Sequence, residues 1–261
     1  MAVTDAPGVY YLGFASPKRC AIPLLALVVA KLQNDGVLTR NLALFHSFGA
    51  ASYLVLRPEG NILVDSPRFS LPLARSLADF GGVAFVFLTH RDDVADAAAW
   101  AAHFDAPRVI HEADVSRDTA DAELILRGSG PWAFPHVGPD VKAERAAMRA
   151  ATAADDAVVL HVPGHTAGSC ALLHRPSRAL FSGDTLAHSA GLGRLTIFRA
   201  FNWHSVEQQL RSVAGPLLQA DWRHLLPGHG RRVHFTCKAA KDAAIKHLLA
   251  AEGMAMEQGT L

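Results

Sequence analysis

Apolar positions in this chain fall mostly in short continuous runs bounded by Gly, Pro and charged residues. Such runs read as strands buried on both faces, whereas a 3.6-residue recurrence reads as helix. Val9-Tyr10-Tyr11-Leu12 makes a first strand. Residues 52–56 and 61–64 follow as a pair, joined by Arg57-Pro58-Glu59-Gly60, a hairpin turn by composition. Residues 71–80 carry helical spacing, 83–88 form a buried strand ending at Thr89-His90, 94–104 an alanine-rich helix, and 108–110 a short strand. Residues 111–150 mix charge, Gly and Pro and predict irregular structure with a short helix or hairpin. Strands at 157–161, 170–174, 179–181 and 224–226 and helices at 205–214 and 237–251 complete the pattern.

Residues 1–50 form an N-terminal extension. Within it, residues 22–32 are apolar almost all round and end at Asn34-Asp35-Gly36, a helix stop; a buried helix is the first reading, a membrane-surface or partner-binding segment the second. The tail from 253 reads as frayed. With no repeat and no obvious linker, residues 1–261 read as one domain whose strands and helices alternate, sheets covered by helices on their outer faces.

Composition narrows the function classes. Half the residues are hydrophobic, 19% are charged and the formal net charge is +1, so neither a nucleic-acid footprint nor an acidic tail stands out. Cys20, Cys170 and Cys237 are far apart with no CxxC pair, which excludes a cysteine zinc knuckle and fits a reducing, cytoplasmic setting. The start of the chain shows no apolar signal segment, and its most apolar stretch is too short to span a bilayer. An oligomer is open, with residues 22–32 as an interface.

The chemistry lies in three turns, each following an apolar run: Pro163-Gly164-His165-Thr166-Ala167-Gly168-Ser169, Ser182-Gly183-Asp184-Thr185 and Pro227-Gly228-His229-Gly230. Each offers one metal-competent side chain beside glycine, which permits a sharp turn and close approach to an ion. A central aspartate can bridge two ions through its two oxygens. These motifs, with Ser52-Tyr53-Leu54-Val55 and Asn61-Ile62-Leu63-Val64-Asp65, resemble the metallo-β-lactamase superfamily over roughly residues 50–235. The resemblance implies an α/β fold, a four-layer αββα sandwich of two mixed sheets with helices outside. That superfamily includes glyoxalase-II-like thioesterases, lactonases, nucleases and oxidoreductases.

The resemblance also implies a His-x-His-x-Asp-His signature after residues 83–88. This chain has His90-Arg91-Asp92-Asp93-Val94-Ala95-Asp96-Ala97. His90 matches the first histidine and Asp92 stands at the second. A two-residue insertion aligns Asp96 with the signature aspartate; on either alignment the second and last histidines are missing. The implied first site is His90, His165 and Asp184, with Asp92 as a fourth candidate; the second is Asp184 and His229, with Asp96 as a third. The expectation is one well-held Zn2+ and a second ion weak or absent, a carboxylate-rich second site being friendlier to Fe or Mn. A metal-bound hydroxide would attack a small-molecule substrate, with Asp92 or Asp96 as general base. His188 and His204 are further candidates near the mouth. Against this stands a simpler role for two of the aspartates: Asp93 capping a helix from Val94, and Asp96 in its first turn.

Three readings follow: a hydrolase of an ester, thioester or lactone; a non-catalytic relative acting as a binding or regulatory protein; and an iron-dependent oxidoreductase on the same fold. The missing histidines favour the second, and the three intact later turns favour the first.

Overall fold

The computed structural model describes residues 9–14, 50–135 and 147–254. The segment 22–32 and the tail beyond 254 lie outside the described residues. The first sheet has six strands in chain order: β1 (Val9–Phe14), β2 (Ala51–Val55), β3 (Ile62–Val64), β4 (Phe85–Phe87), β5 (Arg108–His111) and β6 (Leu124–Leu126). β1–β2–β3 pair antiparallel, and β3–β4–β5–β6 pair parallel. The second sheet draws on β7 (Trp132–Ala133), β8 (Arg149–Ala150), β9 (Ala157–His161), β10 (Cys170–His174) and β11 (Ala179–Gly183). A separate hairpin, β12 (Ala187–Ser189) with β13 (Arg194–Thr196), precedes its last members, β14 (His224–Pro227) and β15 (Val233–His234). Their spatial order is β15-β14-β11-β10-β9-β7-β8. Helices α1 (Leu71–Ala78), α2 (Ala97–Phe104), α3 (Val206–Ser212) and α4 (Lys238–Ala251) connect and cover the sheets.

Side-chain alternation along each strand sorts residues into three cores. Tyr53, Val55, Ile62, Val64, Phe85 and Phe87 of the first sheet meet Val159, Leu172, Phe181 and Leu226 of the second between the sheets. The intervening residues Leu54, Leu63 and Val86 face outward against Leu73 and Leu77 of α1 and Trp100 of α2. On the far side, Ala171, Leu180 and Leu225 pack under Leu210 of α3 and Ile245, Leu248 and Leu249 of α4. The order is helices, sheet, sheet, helices: the four-layer αββα sandwich. A strand covered on both faces needs apolar residues at every position, which is why these strands read as unbroken apolar runs.

Strand direction places the functional turns. β9 and β11 each run antiparallel to β10, and β14 runs parallel to β11. Hence β9, β11 and β14 point the same way, and the turns after them share one rim. Backbone and side-chain bonds lock the first sheet to that rim: Ala51 N donates to Gly228 O at 2.7 Å and Cys170 N to Thr89 O at 2.8 Å. The Tyr53 hydroxyl donates to Pro227 O at 2.8 Å.

Two local expectations change. The helix expected from Val94 begins at Ala97, because Arg91–Asp93 form a 3-10 turn and Ala95 adopts a positive φ of 26°. Residues 187–196, which sequence gives no strand, form the hairpin β12–β13, with Ala187 buried and Leu195 packed into the outer core.

His174 supplies a stability prediction. It is buried at 4% exposure, with Nδ1 2.7 Å from the Ser177 hydroxyl. Burial pushes its pKa down to about 4, against the pull of Asp156 and with the push of Arg57. The unfolded chain, with an ordinary imidazole near 6.5, therefore binds this proton more readily than the fold. Stability is intact above pH ~6.5 and falls as the pH drops, by roughly 3 kcal/mol on reaching pH ~4. Urea unfolding of wild type and His174→Gln across that range checks this: the variant should lose the corresponding slope, and equal slopes would contradict it.

Candidate metal centre

His90 leaves the end of β4 as the residue preceding the 3-10 turn Arg91–Asp93. His90 is extended and Asp93 ends the turn, which folds the Asp93 carboxylate back toward the imidazole: His90 Nε2 lies 3.6 Å from Asp93 Oδ2. Asp92 Oδ2 is 3.9 Å from the same nitrogen and 3.2 Å from His165 Nε2. Asp184 Oδ2, on the turn after β11, sits 3.9 Å from His90 Nε2, 3.9 Å from His165 Nε2 and 2.9 Å from His229 Nδ1. His229 Nδ1 is 3.9 Å from Asp93 Oδ2. Five of the sequence candidates, His90, Asp92, His165, Asp184 and His229, are therefore together.

Asp96 does not join them. It stands at the start of α2, where its Oδ2 accepts a 2.7 Å bond from Phe69 N and its Oδ1 lies 3.8 Å from Arg68 Nη1. The insertion alignment that brought Asp96 toward the ions is corrected, since its carboxylate anchors the 67–70 loop instead. Its neighbour replaces it: Asp93, expected as a helix cap, is 4% exposed and turned into the cluster. The 3-10 turn carries this reversal, and the doublet Asp92-Asp93 three residues from a histidine was its only sequence signal. His204 is also apart, with Nε2 2.7 Å from Gln208 Oε1 on the exposed side of α3. His188, on β12, is bridged through its backbone to Arg231.

The donor set fits a cation. His90, Asp92 and His165 bring ligand atoms within 4.8 Å of one another, and so do His90, Asp93 and Asp184. Two ligands of one zinc ion sit about 3.4 Å apart in a tetrahedral shell, close to the separations above. Four buried polar atoms here lack a hydrogen-bond partner: His90 Nε2, Asp93 Oδ2, His165 Nδ1 and His229 Nε2. Such atoms are costly to bury unless something binds them. One nitrogen binds one ion, so two groups that both need His90 Nε2 compete for it.

The electrostatics match. Burial opposes the His90 and His229 cations, yet Asp93 and Asp184 beside the first and Asp184 beside the second raise both, His229 to about 9. Burial likewise opposes the Asp184 anion, but its bond to His229 and the charges of His90, His229 and His165 hold it at about 2. Asp93, the most enclosed carboxylate of the turn, is pushed up chiefly by burial.

A second ring of residues aims the first. Thr89 Oγ1 lies 3.0 and 2.9 Å from the two oxygens of Asp65 and 2.9 Å from His90 Nδ1. Burial pushes the Asp65 carboxyl up to about 7, against the pull of His90 and the Thr89 bonds; in its ionised form the single hydroxyl proton goes to the carboxylate, so Oγ1 accepts from His90 Nδ1–H. That tautomer leaves the Nε2 lone pair facing the cluster. Asp114, fully buried, accepts from Arg91 N, Thr166 Oγ1 and Gly168 N at 3.1, 2.5 and 2.9 Å, tying the His90 turn to the His165 turn. Gln209 of α3 donates Nε2 to the carbonyls of Asp184 and Thr185 at 3.1 and 2.9 Å. Sequence reading missed Asp65 as an orienting group, and Asp114 and Gln209 entirely. Gly183, at φ 50°, admits no side chain: a Cβ there would stand 2.5 Å from Thr89 Oγ1.

Two substitutions check this geometry by metal analysis of purified protein. Asp93→Asn should lower metal affinity by at least about tenfold, while Asp96→Asn should leave it unchanged; the reverse would overturn the placement. Gly183→Ala should displace Thr89 and His90, at about 1–3 kcal/mol of stability and with weaker metal binding.

Residues 82–223 match the family described as the metallo-beta-lactamase superfamily. Over 134 residues the chain is 35% identical to a hydroxyacylglutathione hydrolase of Fuscovulum blasticum, covering 51% of this chain and 45% of that one. The chain thus spans about half the length of the curated relative it matches. Among solved structures, DIM-1 metallo-beta-lactamase exposed to ceftazidime superposes with a TM-score of 0.53 at 16% identity, over 76% of this chain and 85% of that one. ETHE1 from Myxococcus xanthus gives 0.51 at 22% identity, over 77% and 80% of the two chains. TTHA1623 in a di-iron-bound form gives 0.51 at 21%, over 75% and 93%. At these identities the structural likeness concerns the fold.

Proposed function

The chain belongs to the metallo-β-lactamase superfamily, and on that footing we propose that it is a metal-dependent hydrolase of a small ester, thioester or lactone. The observation that carries this reading is the meeting of two unpartnered buried atoms, His90 Nε2 and Asp93 Oδ2, 3.6 Å apart on one rim beside Asp184. A relative that had given up metal has no use for such atoms, and their burial would cost stability with nothing in return. The match to a hydroxyacylglutathione hydrolase supports a thioester among the substrate classes.

His90, His165 and Asp184 would hold the principal ion, leaving Asp92 beside it unligated; Asp93, Asp184 and His229 would form the oxygen-richer second place, competing for His90. A bound divalent cation supplies Lewis acidity, polarising the scissile carbonyl and making a water acidic enough to ionise near neutral pH. Asp92 takes the proton of the attacking water, since its side chain is 37% exposed while those of His90, Asp93 and His165 are enclosed. Burial opposes the Asp92 anion, but its bond to His165 and the charges of His90, His165 and Arg91, whose Nε is 3.9 Å from Asp92 Oδ1, keep that carboxylate ionised. Water adds to the carbonyl carbon, the bond to the alcohol or thiol breaks, and an acid is released.

One observation favours a second reading. Three carboxylates in a cluster of six donors make it richer in oxygen than zinc prefers, and iron or manganese accepts such a set readily. Iron held here suits an oxidoreductase.

Elemental analysis with a thioesterase assay separates the cases. About one zinc per chain, with hydrolysis lost on chelation and restored by zinc, is the expected outcome. Iron with no hydrolysis favours redox chemistry, and no bound metal after reconstitution overturns both.

A further inference from the structure

Residues 198–203 supply none of the cluster's donors, yet they run between two of its turns. At one end the Phe198 ring lies against Gly230, with Cζ 3.6 Å from where a Cβ would stand. At the other end Trp203 N donates to His165 O at 2.8 Å, and Ser205 N donates to Gly164 O at 2.9 Å. Between them Asn202 Nδ2 donates to Gly164 O at 2.8 Å and to Gln209 Oε1 at 2.7 Å. The backbone of this segment is thus fixed to the same turn that carries His165.

What the segment presents is apolar. Phe201 is 57% exposed and Trp203 is 58% exposed. Elsewhere the protein hides its indoles: Trp100 and Trp222 are fully buried and Trp132 is 8% exposed. Two large aromatic rings held in water on a braced backbone forgo burial that the rest of the fold uses, which marks a surface awaiting a partner. Because the backbone is already ordered, a ligand meeting those rings loses little entropy in arranging them.

We propose that Trp203, with Phe201, is the apolar wall of the substrate site. The indole packs on the apolar or aromatic group attached to the scissile carbonyl, so the protein selects esters and thioesters with a sizeable acyl group over acetyl ones. This rests on the hydrolase reading and gives it a substrate class. Burying one such group against an aromatic wall is worth about tenfold or more in selectivity.

The experiment uses metal-loaded full-length protein and two thioesters, S-phenylacetyl- and S-acetyl-N-acetylcysteamine. Wild type should favour the phenylacetyl thioester by about tenfold or more in kcat/KM. Trp203→Ala should erase that preference through KM rather than kcat with metal content unchanged, and Trp203→Phe should keep most of it. A second arm needs no turnover. With the other three tryptophans buried, acrylamide quenching reports on Trp203, and the uncleavable thioether S-phenethyl-N-acetylcysteamine should shield it where the S-ethyl analogue does not. Shielding without hydrolysis of either thioester would remove the hydrolase reading and leave the wall standing. No shielding, or a phenylacetyl preference that survives Trp203→Ala, would overturn the wall itself.

Discussion

Three carboxylates and three imidazoles crowd one rim of the sandwich, and the repulsion among Asp92, Asp93 and Asp184 has to be neutralised for the rim to exist. Asp184 Oδ2 lies within 3.9 Å of all three imidazoles, so it is the point at which the turns after β4, β9, β11 and β14 meet. Positive charge can come from protons on His90 and His229, whose pKa values are raised by these carboxylates, or from a cation that takes their place. The parallel and antiparallel order of the strands serves this meeting, because it sends three strand ends of one sheet to the same edge.

Precision at the rim comes from groups that never reach the cluster. Asp65 fixes the Thr89 hydroxyl, and through it the tautomer of His90. Asp114 joins the His90 turn to the His165 turn, and Gln209 joins α3 to the Asp184 turn. Each is a buried polar side chain bonded to backbone or hydroxyl groups of a ligand-bearing turn, so displacing one would strand several others.

The departures of this chain from its family's signature have a local physical cause. The family places histidines where this chain has Asp92 and Ala95. The 3-10 turn at Arg91–Asp93 returns a carboxylate to the cluster through Asp93, and leaves Asp96 to start α2. The outcome is a donor set with more oxygen and less nitrogen than the signature supplies, with ligand atoms still close enough to share a cation.

Much of the fold was legible in the sequence: the unbroken apolar runs, the hairpin at residues 57–60, and the strand bounds at 157–161 and 170–174 follow from local pattern alone. So did the grouping of His165, Asp184 and His229, each on a glycine-marked turn at a strand end, and of His90, which follows the apolar run 83–88 where the family signature begins. The roles of Asp93 and Asp96 were not legible. Aspartates three residues apart at the mouth of a helix have similar local propensities, and whether one caps, anchors a loop or faces the cluster depends on the phase of a three-residue turn tied by its Arg91 N to Asp114. Nor could pattern reveal that Trp203 stands in water while the other indoles are covered, since exposure is decided by what the rest of the chain lays over a residue. Sequence by itself determined the long buried strands, the glycine-marked turns and the cation-binding side chains those turns carry. The tertiary structure decided which of them meet, because meeting depends on strand direction and turn phase, neither of which a single segment contains.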